Sequence, residues 1–179
     1  MQIDAFFITA PALGAQAVSE AEVFGSVTWL WMQTPGHRDL PLYALNKVLL
    51  PPLKAQQYML ASASDGNTLR PVAYVAWANF NADAESRYLH SAAAIHPEDW
   101  NSGDRMWITD WFSPFGHTAA LRKTVGKLLA DSCMRSLYHR GQERGLRVMT
   151  FRGDNVSPHQ AKAWWQARPM MAPLTNQPI

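Results

Sequence analysis

The sequence has little of several features that mark particular protein classes. Its 179 residues include one cysteine, Cys133, so an internal disulfide is excluded. Its six histidines are scattered without the Cys/His spacing of a zinc site, so no metal site is predicted. No run approaches the roughly 20 apolar residues of a membrane span, and no basic residue precedes the short apolar stretch at the N-terminus, unlike a secretory signal. These absences predict a cytoplasmic protein with no membrane span.

The composition predicts a folded globule. Hydrophobic residues make up 47% of the chain and charged residues 17%, which suits one domain with an ample core and excludes disorder for most of its length. No internal repeat or domain boundary is visible. We predict a single domain over residues 1–179, with loosely ordered termini at 1–16 and 169–179.

Positive and negative charges are unevenly distributed along the chain. From residue 121 onward the chain has ten Lys and Arg residues and three acidic residues. The first 120 residues have six Lys and Arg residues and eleven acidic residues. Such an asymmetry suggests an acidic partner that docks on the C-terminal third. The basic residues lack the stacking aromatics and the motif of a nucleic-acid reader, so nucleic acid is not predicted. On charge alone, a solvated basic helix face is the simpler interpretation.

Hydrophobic periodicity, caps and turn residues predict five helices and four strands. The helices are predicted at 19–32, 41–48, 81–90, 118–140 and 157–165, and the strands at 57–63, 70–79, 105–116 and 146–151. Pro51 and Pro52 close the second helix. Cys133 lies in the middle of the long fourth helix, with Leu129 and Leu137 at four-residue spacing, and is interpreted as a core residue.

This order of elements resembles the GNAT acyltransferase fold. That fold is α/β (α+β), with a mostly antiparallel central sheet flanked by helices, and the N-terminus of one helix receives the pantetheine or pyrophosphate of an acyl donor. Phe115, Gly116 and His117 stand where that loop would be. The usual Arg/Gln-x-x-Gly-x-Gly/Ala sequence is absent, so fold analogy alone is weak support for a function.

Asp110 is an acid in an unusual place. It lies in a predicted strand of aromatic and β-branched residues, where carboxylates are depleted and are costly to bury without a partner. From the residues alone it is either a satisfied structural group or part of a functional site.

Several longer segments carry a more specific resemblance. They are rich in Trp and Pro and lie at 25–31 (GSVTWLW), 34–38 (TPGHR), 71–77 (PVAYVAW), 98–105 (EDWNSGDR) and 107–116 (WITDWFSPFG). In this order they resemble the RTX toxin-activating lysine acyltransferases, and the matching blocks extend from about residue 22 to 153.

The resemblance implies an activity and its partners. Such enzymes transfer a fatty acyl group from acyl carrier protein to the ε-amino group of internal lysines in an RTX protoxin, in the bacterial cytoplasm. It also implies a GNAT-like domain, commonly a homodimer, with acyl-acyl carrier protein as donor and no bound cofactor. The essential His of the family falls on His37 and its catalytic Asp on Asp110. Thr34 stands where the family often has Ser, and Asn46 matches a polar residue of the family's site.

The chemistry accounts for these residue types. A lysine amine, with a reference pKa of about 10.4, must lose a proton before it attacks a thioester. Our hypothesis is that His37 takes this proton, that Asp110 orients the imidazole, and that backbone amides near Gly116 stabilise the oxyanion or the donor. A rival mechanism makes His37 the nucleophile, with an acyl-imidazole intermediate. Arg122, Lys123 and Lys127 are expected to meet the acidic carrier protein.

Two other classes of function stay open at this stage. One is a GNAT-type N-acyltransferase that uses acyl-coenzyme A on another amine. The other is a non-catalytic partner that binds a secreted toxin. The sequence does not determine the acyl chain length, the target lysines or the dimer geometry.

Overall fold

A computed structural model of the chain describes residues 1–15, 18–91, 95–139 and 146–171. These ranges form a mixed α/β fold with seven helices and seven strands, apart from two short 3-10 turns. The helices are α1 Glu20–Met32, α2 Pro35–Arg38, α3 Ala44–Val48, α4 Leu50–Lys54, α5 Ala82–His90, α6 Thr118–Leu128 and α7 Pro158–Ala167. The strands are β1 Gln2–Ile3, β2 Phe6–Thr9, β3 Tyr58–Asp65, β4 Thr68–Phe80, β5 Arg105–Phe112, β6 Cys133–His139 and β7 Leu146–Arg152.

The strands form a seven-stranded sheet in chain order. Strands β1 to β4 pair antiparallel in succession, as do β6 and β7, whereas β5 and β6 pair in parallel. This mostly antiparallel sheet with flanking helices confirms the predicted GNAT-like α/β fold. None of the helices in the described ranges is both long enough and apolar enough to span a bilayer.

Local sequence signals explain several of these elements. The Ser19 hydroxyl accepts a hydrogen bond from the Glu22 amide and begins α1, and the Asn81 side chain accepts one from the Ala84 amide and begins α5. Ser157 and Gln160 form a capping box at the start of α7. The Asp65–Gly66 turn, with Gly66 at φ +64°, joins β3 to β4. The predictions for these three helices and two strands are therefore confirmed.

The chain contains two compact units. The first comprises Met1–Trp77 and Asp110–Val125, and the second comprises Ala78–Thr109 and Gly126–Ile179. In the first unit, buried residues of α1, α3 and α4 pack with residues on one face of β3 to β5. The members of this core are Val23, Val27, Leu30, Trp31, Leu45, Leu49, Leu53, Tyr58, Leu60, Tyr74, Ala76 and Phe112.

The second unit buries a cluster of charged side chains. The Glu85 carboxylate is fully buried and accepts hydrogen bonds from Arg105 Nη1 at 2.8 Å, Arg135 Nη1 at 2.9 Å and Trp107 Nε1 at 2.8 Å. Arg105 also donates to the carbonyl oxygen of Pro169 at 2.8 Å, and Arg135 donates to that of Arg168. A buried carboxylate is tolerated here because two guanidinium groups and an indole satisfy both of its oxygens.

The predicted long helix over 118–140 is wrong beyond its third turn. Helix α6 ends at Leu128, and residues from Cys133 onward form β6 between β5 and β7. Residues spaced by four lie on one face of a helix, but they also satisfy the two-residue period of a strand. Pairing with two neighbouring strands determines that these residues form a strand and not a helix. Cys133 is buried, as expected for a core residue, and burial raises the pKa of its thiol.

Two further differences concern the N-terminal third. Residues 1–16 were expected to be loosely ordered, whereas β1 and β2 form an antiparallel pair and β2 continues the sheet on β3, with Phe6 and Ile8 buried. Pro51 and Pro52 do not close a helix but lie in the first turn of α4, where a missing amide proton is tolerated. Of the tail at 169–179, residues 172–179 lie outside the described residues.

Gly153 is required by a close approach of backbone segments in the second unit. A Cβ atom at this position would lie 2.1 Å from the Leu129 carbonyl oxygen and 2.2 Å from that of Ala130. Gly153→Ala is therefore expected to destabilise the protein by about 1–3 kcal/mol, measured as the free energy of unfolding in urea. The control is Gly25→Ala in α1, where a Cβ meets nothing within 4 Å, and it should be neutral or stabilising by up to about 1 kcal/mol. Equal stabilities of the two variants would contradict the prediction.

Candidate active site

His37 is held by a short turn that follows α1. The Thr34 hydroxyl donates to the Leu30 carbonyl oxygen at 2.9 Å and satisfies one of the last carbonyls of the helix. Pro35 begins the one-turn helix α2, and the His37 amide donates to the Thr34 carbonyl oxygen at 2.9 Å. The Thr34 hydroxyl proton is thus used at the end of α1, and the turn as a whole fixes the position of the imidazole.

The structure brings His37 and Asp110 together. His37 Nε2 lies 3.4 Å from Asp110 Oδ1, and the two side chains are only 23% and 15% exposed. Asp110 lies near the end of β5, within the same compact unit as His37. Two residues more than seventy positions apart in sequence thus form a partly buried pair.

The geometry distinguishes the two nitrogens of the imidazole. Nε2 faces the carboxylate of Asp110, whereas Nδ1 is buried and has no hydrogen-bond partner among the described residues. In a neutral imidazole one nitrogen carries the proton and the other carries the lone pair. A carboxylate facing Nε2 favours the proton on that nitrogen and leaves the lone pair on Nδ1. The arrangement can therefore take a proton at Nδ1 and stabilise the resulting cation through Nε2.

Aromatic side chains surround this pair. The His37 ring lies 5.0 Å from the Trp31 ring and 5.0 Å from the Phe112 ring, between centroids, and the Tyr74 ring lies 5.4 Å from the Phe112 ring. Such apolar surroundings lower the local dielectric and strengthen the interaction of an imidazolium with a carboxylate. The sequence alone did not identify these neighbours, although two of the resembling segments contain Trp31 and Tyr74.

Gly116 occupies a tight turn before α6. Its φ of +84° is a left-handed conformation that favours glycine. Its amide donates to the Ser113 carbonyl oxygen at 3.3 Å, and the His117 amide donates to the Ser113 hydroxyl at 3.2 Å. These two amides are thus engaged within the turn, and the His117 ring packs edge-on against Phe6. The amides predicted to stabilise an oxyanion already have acceptors in this conformation.

The remaining predicted residues lie at the surface. Arg122 and Lys123 are exposed on α6, and so is Lys127. Asn46 is exposed on α3, and in the part of the chain that the structure describes it makes no hydrogen bond to His37 or Asp110. The structure therefore brings together the predicted catalytic pair but does not join Asn46 to it.

Comparisons with known proteins agree with the resemblance seen in the sequence. The RTX toxin acyltransferase family matches residues 16–152. The chain is 37% identical over 142 residues to the protein-lysine myristoyltransferase HlyC of Escherichia coli, covering 78% of this chain and 80% of that protein. It is 38% identical over 141 residues to the protein-lysine palmitoyltransferase CyaC of Bordetella bronchiseptica, covering 78% and 74%. It is 35% identical over 140 residues to the leukotoxin-activating lysine-acyltransferase LktC of a Pasteurella haemolytica-like species, covering 78% and 82%.

Proposed function

Because this chain is an acyltransferase that belongs to the RTX toxin acyltransferase family, we propose that it transfers a fatty acyl group from acyl carrier protein to internal lysines of an RTX protoxin. The observation that carries the proposal is the partly buried His37–Asp110 pair, with its aromatic surroundings, in a chain of this family. The modification would activate the toxin in the bacterial cytoplasm, and the enzyme would act as a homodimer.

The proposed mechanism is direct transfer. The lysine Nζ attacks the thioester carbonyl carbon, the carbon–sulfur bond breaks, and the sulfur of the carrier protein leaves as a thiol with the proton that His37 has taken from the attacking nitrogen. His37 Nδ1 takes the proton that the amine loses, and Asp110 stabilises the imidazolium through Nε2. The products are an amide on the lysine and the free thiol of the carrier protein.

The alternative mechanism makes His37 Nδ1 the nucleophile, with an acyl-imidazole intermediate. Rapid-quench experiments with labelled acyl-acyl carrier protein and no protoxin separate the two mechanisms. Direct transfer predicts no acyl-enzyme under these conditions. Stoichiometric label on His37, formed as fast as turnover, would overturn it.

The activity is tested with purified components. The chain is incubated with a candidate protoxin and acyl carrier protein loaded with chains that include myristoyl and palmitoyl groups, since relatives are named for these two acyl groups. Mass spectrometry then locates modified lysines. We expect acylated internal lysines in the protoxin that depend on acyl carrier protein. Turnover with acyl-coenzyme A alone would indicate a GNAT-type enzyme acting on another amine, and protoxin binding without modification would indicate a non-catalytic partner.

The exposed basic residues of α6 predict an electrostatic contribution to docking of the acidic carrier protein. Reversing both charges, with Arg122→Glu and Lys123→Glu, is expected to raise the KM for acyl-acyl carrier protein about tenfold at low salt. The reason is that exposed charges at the edge of a docking surface speed the association of an oppositely charged partner. The rise in KM should become smaller as the salt concentration increases, and kcat should stay unchanged. The control is Lys47→Glu and Lys54→Glu on α3 and α4, which carry the same change of charge elsewhere. An equal rise in KM for both pairs would remove α6 from the docking surface.

A further inference from the structure

Tyr74 has a buried hydroxyl close to the catalytic pair that the mechanism above does not use. The side chain is fully buried on β4, and its hydroxyl has no hydrogen-bond partner among the described residues. Leaving a buried hydroxyl unpaired costs free energy, so such a group in a folded protein calls for an explanation. Its position beside the His37–Asp110 pair suggests one.

The strand geometry places Tyr74 on the side of the sheet where the pair lies. Asp110 and Phe112 are two residues apart on β5, so their side chains point to the same face. Phe112 contacts both rings, with centroids 5.4 Å from Tyr74 and 5.0 Å from His37. Tyr74, Phe112 and Trp31 belong to one buried cluster of the first compact unit.

The charge of Asp110 reaches Tyr74. Burial, then the negative charge of Asp110, and then Tyr58 raise the pKa of Tyr74 well above its usual range. The hydroxyl is therefore neutral at every physiological pH and can act as a hydrogen-bond donor. Two charged residues follow His37 directly in the chain: Arg38 ends α2 and Asp39 comes after it, and their exposed side chains pair with each other at 3.8 Å.

We propose that Tyr74 is a positioning residue for the proposed acyl transfer, and that its hydroxyl acts through Asp110 on His37. The Tyr74 hydroxyl makes no hydrogen bond to Asp110, so it acts on the carboxylate through space: its buried dipole stabilises the negative charge, and this sets how strongly the carboxylate favours the imidazolium. Without the hydroxyl the carboxylate is less stabilised, so its pKa rises. The negative charge of Asp110 is then less compensated by other groups and attracts the imidazolium more strongly, so the pKa of His37 rises as well. The role of Tyr74 in acyl transfer rests on the proposed function, whereas the effect of its hydroxyl on the titration of His37 and Asp110 does not.

The test compares Tyr74→Phe with Tyr58→Phe. Both variants keep the ring and lose one hydroxyl, and the two tyrosines stack with centroids 6.2 Å apart. Burial and then the charge of Glu20, instead of that of Asp110, raise the pKa of Tyr58, so Tyr58→Phe is a matched control. The titrations of His37 and Asp110 are followed by NMR in the full chain, and the pH dependence of kcat is measured with acyl-acyl carrier protein.

We expect Tyr74→Phe to raise the pKa of His37 by about half a pH unit, while Tyr58→Phe leaves it in place. A shift of this size lowers the fraction of neutral imidazole about threefold below its pKa, and the acid limb of the kcat profile should move with it at unchanged KM. Unchanged titrations in Tyr74→Phe, or equal shifts in both variants, would overturn the proposal. A wild-type chain without acyl transfer would instead contradict the proposed function, and the NMR result would still stand.

Discussion

Replacing His37 by alanine is expected to lower kcat for acyl transfer about 10²–10⁴-fold, because the variant loses the group that we propose takes the proton of the lysine amine. The KM for acyl-acyl carrier protein should change little, since the imidazole lies in a partly buried pair with Asp110 and is not among the exposed basic residues of α6 that are proposed to meet the carrier protein. The measurement is steady-state kinetics at several pH values with the protoxin saturating. The control is His90→Ala, since His90 is exposed at the end of α5 and its ring forms a hydrogen bond with the Ser86 carbonyl oxygen of its own helix.

Asp110→Asn extends this prediction to the pair. The substitution keeps the shape of the side chain and removes the charge that stabilises the imidazolium. It should lose less activity than His37→Ala, and the double variant should be no worse than His37→Ala alone, because Asp110 is proposed to act through His37. Additive losses would show that the two residues act independently, and an active His37→Ala enzyme would contradict the mechanism.

Glu85→Gln is expected to destabilise the protein by about 3–5 kcal/mol, because removing one charge from a buried ionic cluster leaves its partners uncompensated. Arg105 and Arg135 both donate to Glu85, and Arg135 is itself almost fully buried. Desolvation already lowers the pKa of Arg135, and the charge of Glu85 opposes that effect. The free energy of unfolding in urea measures the loss, and a stability of this size is a large part of what a domain has.

The control for this prediction is the same substitution in an exposed pair. Glu20 accepts from Lys54 Nζ at 3.2 Å, and both side chains are at least half exposed. Such pairs contribute roughly 0–1 kcal/mol, so Glu20→Gln should shift the unfolding midpoint only slightly. A Glu85→Gln variant as stable as Glu20→Gln would show that the buried cluster contributes little.

The elements that could be predicted from the sequence are those whose signals are local. Ser19, Asn81 and Ser157 each begin a helix through a side-chain cap, and Asp65–Gly66 forms a hairpin turn. Each of these signals depends on only a few neighbouring residues, so packing with distant parts of the chain seldom changes the structure that the signal predicts. Strand β6 could not be predicted in this way, because the spacing of its apolar residues suits a helix equally well. Only its pairing with β5 and β7 determines that these residues form a strand.

The site shows the same division between local and distant information. On pattern alone Asp110 was a structural acid as readily as a functional one, and no local signal linked it to His37. Resemblance to a family joined them, and the fold places them 3.4 Å apart. Tyr74 and Trp31 were not identified because their importance lies in packing around that pair. Glu85 gave no signal at all, since an acid in a short helix is ordinary until Arg105 and Arg135 are brought to it.

The buried charges of the second unit also bear on the order in which the chain can fold during synthesis. Glu85 is made first, Arg105 follows 20 residues later, and Arg135 follows 50 residues after Glu85. The carbonyl groups of Arg168 and Pro169, which accept from these guanidinium groups, leave the ribosome later still. Chains emerge at about 5–20 residues per second, so for several seconds the nascent unit holds Glu85 and its arginines without the two carbonyl groups that complete the cluster. Closure of this unit is therefore a late event, coupled to the arrival of residues far along the chain.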